Sequence, residues 1–138
     1  MKKTVQLILF LILTFNLPLT YAEEIVFSGT PIVKISEAGL DRVVENIKGE
    51  RAMDFRCVIS KVGERYYWLT RENKELVKIS SGAYDTFVAL NGSGYVRIIP
   101  KDMKGAASLL AGTEGKFDYV EHLLLGLKSV TYYGNATK

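Results

Sequence analysis

The sequence predicts an α+β domain: an antiparallel sheet of about five strands with one amphipathic helix, residues 36–48, packed on one face. Three observations predict it. Leu40, Val43, Val44 and Ile47 fall at i, i+3, i+4 and i+7 and form a single apolar stripe. Between residues 53 and 99, short apolar–polar alternations are separated by turn residues. Asn91-Gly92 stands between two apolar runs, the strongest short-range signal of a β-hairpin. The structural alternative is a small β-barrel with a helical plug.

Residues 25–35 (IVFSGTPIVKI) are rich in β-branched side chains and are interrupted at Gly29-Thr30-Pro31. They read as a kinked edge strand or two short strands, because Pro31 cannot donate to a ladder. Ser36 is placed to cap the helix, Asp41, Arg42, Glu45 and Lys48 lie off its stripe, and Gly49 stops it. Met53, Phe55, Cys57 and Ile59 then alternate with Asp54, Arg56, Val58 and Ser60, a half-buried strand with Cys57 on the apolar face. A turn at Val62-Gly63-Glu64 leads into a strand over 65–70. The polar turn 71–74, a strand over 75–80 and a break at Ser81-Gly82 follow. Strands 84–90 and 95–99 flank Asn91-Gly92-Ser93-Gly94, and Pro100 closes the series. In the tail, 106–111 reads as a short helix stopped by Gly112, and 113–116 as a loop. Residues 117–127 fit a helix through Phe117, Val120, Leu124 and Leu127, with Gly126 counting against it. Residues 129–133 have strand composition, and the end frays from Asn135. The order strand, helix, then successive antiparallel strands resembles the cystatin-like arrangement, a sheet curving around one helix. That likeness concerns fold and carries no function.

Residues 1–22 have the pattern of a secretory signal peptide. Lys2-Lys3 is the positive start, residues 5–15 are apolar but for Gln6 and Thr14, and Pro18 precedes Thr20-Tyr21-Ala22. Cleavage is expected after Ala22, leaving residues 23–138 as one domain in the periplasm or outside the cell, with no stable membrane anchor. The apolar run is too short to span a bilayer. Of 18 basic residues, Lys2 and Lys3 leave with the leader, so 16 face 15 acidic ones and the mature net charge is +1. That balance gives no reason to expect nucleic acid as a partner.

Cys57 is the only cysteine and His122 the only histidine. They cannot supply a structural zinc site, and no calcium-loop run is present, so no metal and no cofactor is implied. Cys57 on an inward alternation is a buried structural thiol rather than a nucleophile. Ser93 in Asn-Gly-Ser-Gly lacks the nucleophile-elbow spacing and belongs to a turn. Asn91-Gly92-Ser93 and Asn135-Ala136-Thr137 match a glycosylation acceptor that matters only in a eukaryotic secretory route.

The aromatics carry the functional expectation. Tyr66 and Trp68 share one strand face, with Arg71, Glu72 and Asn73 beside them to supply directional hydrogen bonds. With Asn91, Ser93 and Tyr95 in the next hairpin, they form a candidate ligand-binding set. The expected function is a non-enzymatic exported module that recognises a peptide, a glycan or an envelope protein. Two alternatives come from other classes. One is a small secreted hydrolase using His122 with Glu121 or another acid. The other is an inhibitor that presents its hairpin loops to a secreted enzyme as a wedge. An unpaired edge strand also offers pairing between two copies of the chain.

Overall fold

Period-two alternation runs through almost the whole described chain, and the fold follows from it. The structure is a computed structural model, and it describes residues 21–81, 84–99 and 117–137. Among these residues the elements are β1 (Glu23–Ala38), β2 (Asp41–Asn46), a one-turn helix α1 (Arg51–Asp54), β3 (Cys57–Val62), β4 (Arg65–Trp68), β5 (Lys74–Ser81), β6 (Tyr84–Ala89), β7 (Gly94–Ile98), β8 (Tyr119–Leu125) and β9 (Lys128–Ala136). From β3 to β9 each strand pairs antiparallel with the next. β1 pairs with β3 through Glu23–Gly29 and with β9 through Gly29–Ala38, so the sheet closes into an eight-stranded barrel. At Gly29 the two seams meet, with Cys57 on one side and Ala136 on the other. The β1–β9 register slips between Pro31 and Val33, where proline has no N–H to give.

β2 stands outside the closed wall. Among the described residues it pairs only with the far half of β1, along the edge that β3 has left. The chain then crosses the barrel mouth through residues 47–56, burying Ile47 and Ala52 in the interior before β3 begins.

The interior is filled by inward side chains of successive strands, among them Phe27, Ile59, Trp68, Leu76, Phe87, Val96 and Tyr119. A second cluster of Val33, Ile35, Ile99, Phe117 and Tyr133 packs on the outer face, since Tyr132 and Tyr133 point to opposite sides of β9. The Tyr119 ring lies against two glycines. A Cβ on Gly29 would stand 2.5 Å from its Cε1, and one on Gly134 would stand 2.7 Å from the same atom.

The expected α+β class, and with it the cystatin-like likeness, is therefore overturned. Residues 36–48 are not a helix. They are the end of β1, the two-residue turn Gly39-Leu40, and β2. Ser36 caps nothing; it sits mid-strand between Val43 and Val130. Leu40 projects into solvent, and Val43 and Val44 take opposite faces. The stripe arose because a hairpin tip and two adjacent valines happen to mimic helical spacing. The competing period-two signal, Val33 and Ile35 buried on one face, continues the strand instead. Gly39, at φ 61°, occupies the first position of a two-residue hairpin turn, where a positive φ is needed. Of the alternative, the barrel is present, and among the described residues no helix is longer than α1.

Residues 117–127 are not helical either. Tyr119, Glu121 and Leu123 are buried in alternation with Val120, His122 and Leu124, and Gly126 at φ 66° turns the chain into β9. Met53 belongs to α1 and is exposed, so the strand expected from residue 53 starts at Cys57. The leader over residues 1–20, the break at Gly82, the stop at Pro100, the helix over 106–111 and the loop over 113–116 lie outside the described residues.

Candidate functional site at the loop end of the barrel

A meander places alternate turns at the same end. The β4–β5 turn (residues 69–73), the β6–β7 turn (90–93) and the β8–β9 turn (Gly126-Leu127) therefore share one rim. The β1–β2 turn joins them, because Ala38 pairs with Asp41 on one side and with Lys128 on the other. The junction of α1 and β3 enters at this end too.

Beneath the rim lies a buried ion pair. Glu121 projects inward from β8 and has no exposed surface. Arg71 Nη2 donates to its Oε2 at 2.9 Å. The same guanidinium donates to the carbonyls of Thr70 (2.9 Å), Phe55 (3.3 Å) and Arg56 (3.4 Å). It also lies 5.7 Å from the centre of the Tyr132 ring, on which Phe55 stacks at 5.5 Å. Arg71 thus ties the segment across the mouth to the barrel floor. Burial pushes the Glu121 carboxyl up to about 7, against the opposing pull of Arg71. Trp68 and Cys57 lie close enough to favour its ionised form. Trp68 Nε1 and Glu121 Oε1 are both buried and fall outside hydrogen-bond geometry. Burial, then the nearby Glu121, pushes the Cys57 thiol well up, and burial does the same to the Tyr119 hydroxyl.

A carboxyl near 7 has the proton affinity of a general acid or base. Here its neighbours Trp68, Cys57 and Tyr119 are sealed as completely as it is, so no substrate reaches it. The proposed partnership of Glu121 with His122 does not form. Adjacent residues of a strand face opposite ways. His122 lies on the outer wall, stacked on Tyr95 at 5.3 Å and hydrogen-bonded through Nδ1 to Thr131 Oγ1 at 2.9 Å. Among the described residues, no three His, Cys, Asp or Glu side chains converge as metal ligands.

The residues of the binding set separate. Trp68 is fully buried, and half-buried Tyr66 turns its ring edge to Phe87 at 5.2 Å. The expectation that they form an exposed aromatic face is corrected: closure of the barrel puts that face inside. Tyr95 is on the outer wall. Arg71 points inward, whereas Glu72 and Asn73 are exposed at the turn with φ of 58° and 52°. Asn91 caps its own turn, accepting from Ser93 N at 3.0 Å, and Ser93 O accepts from Leu124 N at 2.8 Å. Glu72, Asn73, Asn91 and Ser93 thus reach one rim, with Arg71 as its underside.

Sequence reasoning missed two residues there. Leu40 and Leu127 sit at adjacent hairpin tips and are 105% and 98% exposed, with exposed Val43 and Leu125 beside them. A groove of about 400 Å³ runs between the two hairpins, lined by Ser36, Ala38, Val43, Leu125, Lys128 and Val130, among others. The available signal was the repeated Gly-Leu pair, Gly39-Leu40 and Gly126-Leu127, each between strand-forming runs.

No protein-family model, no curated protein and no solved structure matches the chain.

Proposed function

We propose that the mature chain is an exported, non-enzymatic binding module that engages a protein of the cell envelope through the loop end of its barrel. Export rests on the leader pattern of residues 1–22. The observation that carries the binding reading is the pair of fully exposed leucines at neighbouring tips, continued by Val43 and Leu125. Apolar side chains gathered at one end of a small domain mark an interaction surface. A protein partner is favoured over a glycan because the groups on offer are aliphatic. The aromatic platform that would stack on a sugar is turned inward at Trp68 and Tyr66. A hydrolase that pairs His122 with Glu121 is disfavoured, since the two side chains lie on opposite faces of β8.

The test passes an envelope extract over immobilised mature protein and over a Leu40→Asp/Leu127→Asp variant, with matched thermal unfolding as the folding control. A protein retained by the wild type and lost by the variant is expected. Equal retention by both, or none by the wild type, overturns the reading. A protease as the retained protein would identify the module as an inhibitor.

A further inference from the structure

We infer that β2 is a pairing edge for a second copy of this chain. Among the described residues, β2 has β1 on one side and no strand on the other. The two-residue turn fixes the phase of its hydrogen bonds. Ala38 and Asp41 close the hairpin as a bonded pair, so the N–H and C=O of Asp41, Val43 and Glu45 face β1. Those of Arg42, Val44 and Asn46 face outward. The bond from Ile47 N to Ile32 O, 2.7 Å, continues the same phase. Edges of this kind are ordinarily blunted by a proline, a bulge, brevity or charged side chains, and β2 carries only the last of these, at Asp41, Arg42 and Glu45. β2 contains no proline, its register with β1 is unbroken, and Val43 and Val44 are 61% and 52% exposed.

The sequence of the strand selects a two-fold register. A two-fold axis perpendicular to the sheet pairs residues of equal parity, so each residue meets one on the same face. Centred on Val44, it sets Val44 against Val44 of the second copy, Arg42 against Asn46, and Val43 against Glu45. Every outward backbone group is then used and no like charges oppose. On the outer face, Val44 extends the apolar row begun by buried Ile35, its partner across β1. The neighbouring register, centred on Val43, sets Asp41 against Glu45, which is unfavourable. The two leucine tips lie outside this contact, and of the apolar surface around them only Val43 borders it, so the pairing does not depend on Leu40 or Leu127.

Sedimentation analysis of the mature protein over a range of concentrations tests this. A concentration-dependent dimer is expected for the wild type and for Leu40→Asp/Leu127→Asp. Val44→Pro removes only an outward N–H and is expected to remain monomeric with the melting temperature little changed. Val44→Cys is expected to form an interchain disulfide under mild oxidation, since directly bonded antiparallel residues have Cα atoms about 5.5 Å apart. This second variant decides the matter if the proline variant fails to fold. A wild type that stays monomeric to several hundred micromolar, a Val44→Pro protein that dimerises unchanged, or a Val44→Cys protein that stays uncrosslinked overturns the inference.

Discussion

Glu121 shows what one buried charge does in this barrel. Taking a carboxylate and a guanidinium out of water costs energy that their contact only partly returns, so the pair adds little net stability. Its geometric role is larger, because the Arg71 fork holds two carbonyls of the segment crossing the mouth. The elevated carboxyl makes a sign-specific prediction. The unfolded chain has this group near 4.5 and the folded barrel near 7, so the fold binds the proton more tightly. The resulting stabilisation is complete below the unfolded value and is lost as pH rises through 7. The melting temperature of the wild type should therefore fall between pH 5 and pH 7.5 relative to that of Glu121→Gln. A parallel pH dependence in the two proteins would refute the assignment. Cys57 makes the second prediction at this scale. Sealed and with its thiol pushed up, it should resist alkylation in the native protein and react only after unfolding, as intact mass would report.

At the scale of elements, strands over 65–70, 75–80, 84–90 and 95–99 were legible because alternation and turn residues agreed there. Two of the three expected helices, 36–48 and 117–127, are strands instead. In 36–48 and 117–127 a glycine-leucine turn joins two strands, and its leucine supplies the extra apolar position that completes a helical stripe. Periodicity alone counts that leucine as core, whereas only the pairing partner, β9 gripping β1 to Ala38, reveals it as a tip. The β4–β5 turn was read correctly as polar, but its backbone was not foreseeable. Glu72 and Asn73 both adopt left-handed φ, and at glutamate that costs about 1 kcal/mol. Glu72→Gly should raise stability by about that amount, several degrees in melting temperature. The lost contact with Lys74 is a surface pair of little weight. No rise would mean that the turn is unstrained. Gly134→Ala should act in the opposite direction. Its Cβ would press on Pro31 Cα at 2.7 Å as well as on Tyr119, and about 2 kcal/mol should be lost in denaturant unfolding.

For the whole molecule, closure decided where the expected site residues lie. Loops at 71–74 and 91–94 share one rim, because a meander returns them to one end. The aromatic face between them could not be assigned, since an alternating strand does not say which side a closed sheet will enclose. Trp68, the sole tryptophan, reports on that enclosure. Its emission should be blue-shifted in the native state and move to the red in a single transition coincident with loss of far-ultraviolet dichroism. Native emission at the wavelength of a solvated indole would place Trp68 outside and reopen the surface-aromatic reading.

The seam between β1 and β9 joins the first described strand to the last. A nascent chain on the ribosome holds β1 ready long before its partner exists. Until Lys128 and the residues after it emerge, the long edge of β1 stays open and Tyr119 lacks one of the two glycines that seat it. Closure of this barrel therefore waits for β9. A product lacking β9 would be an open sheet, sticky along one whole side and a ready target for proteolysis.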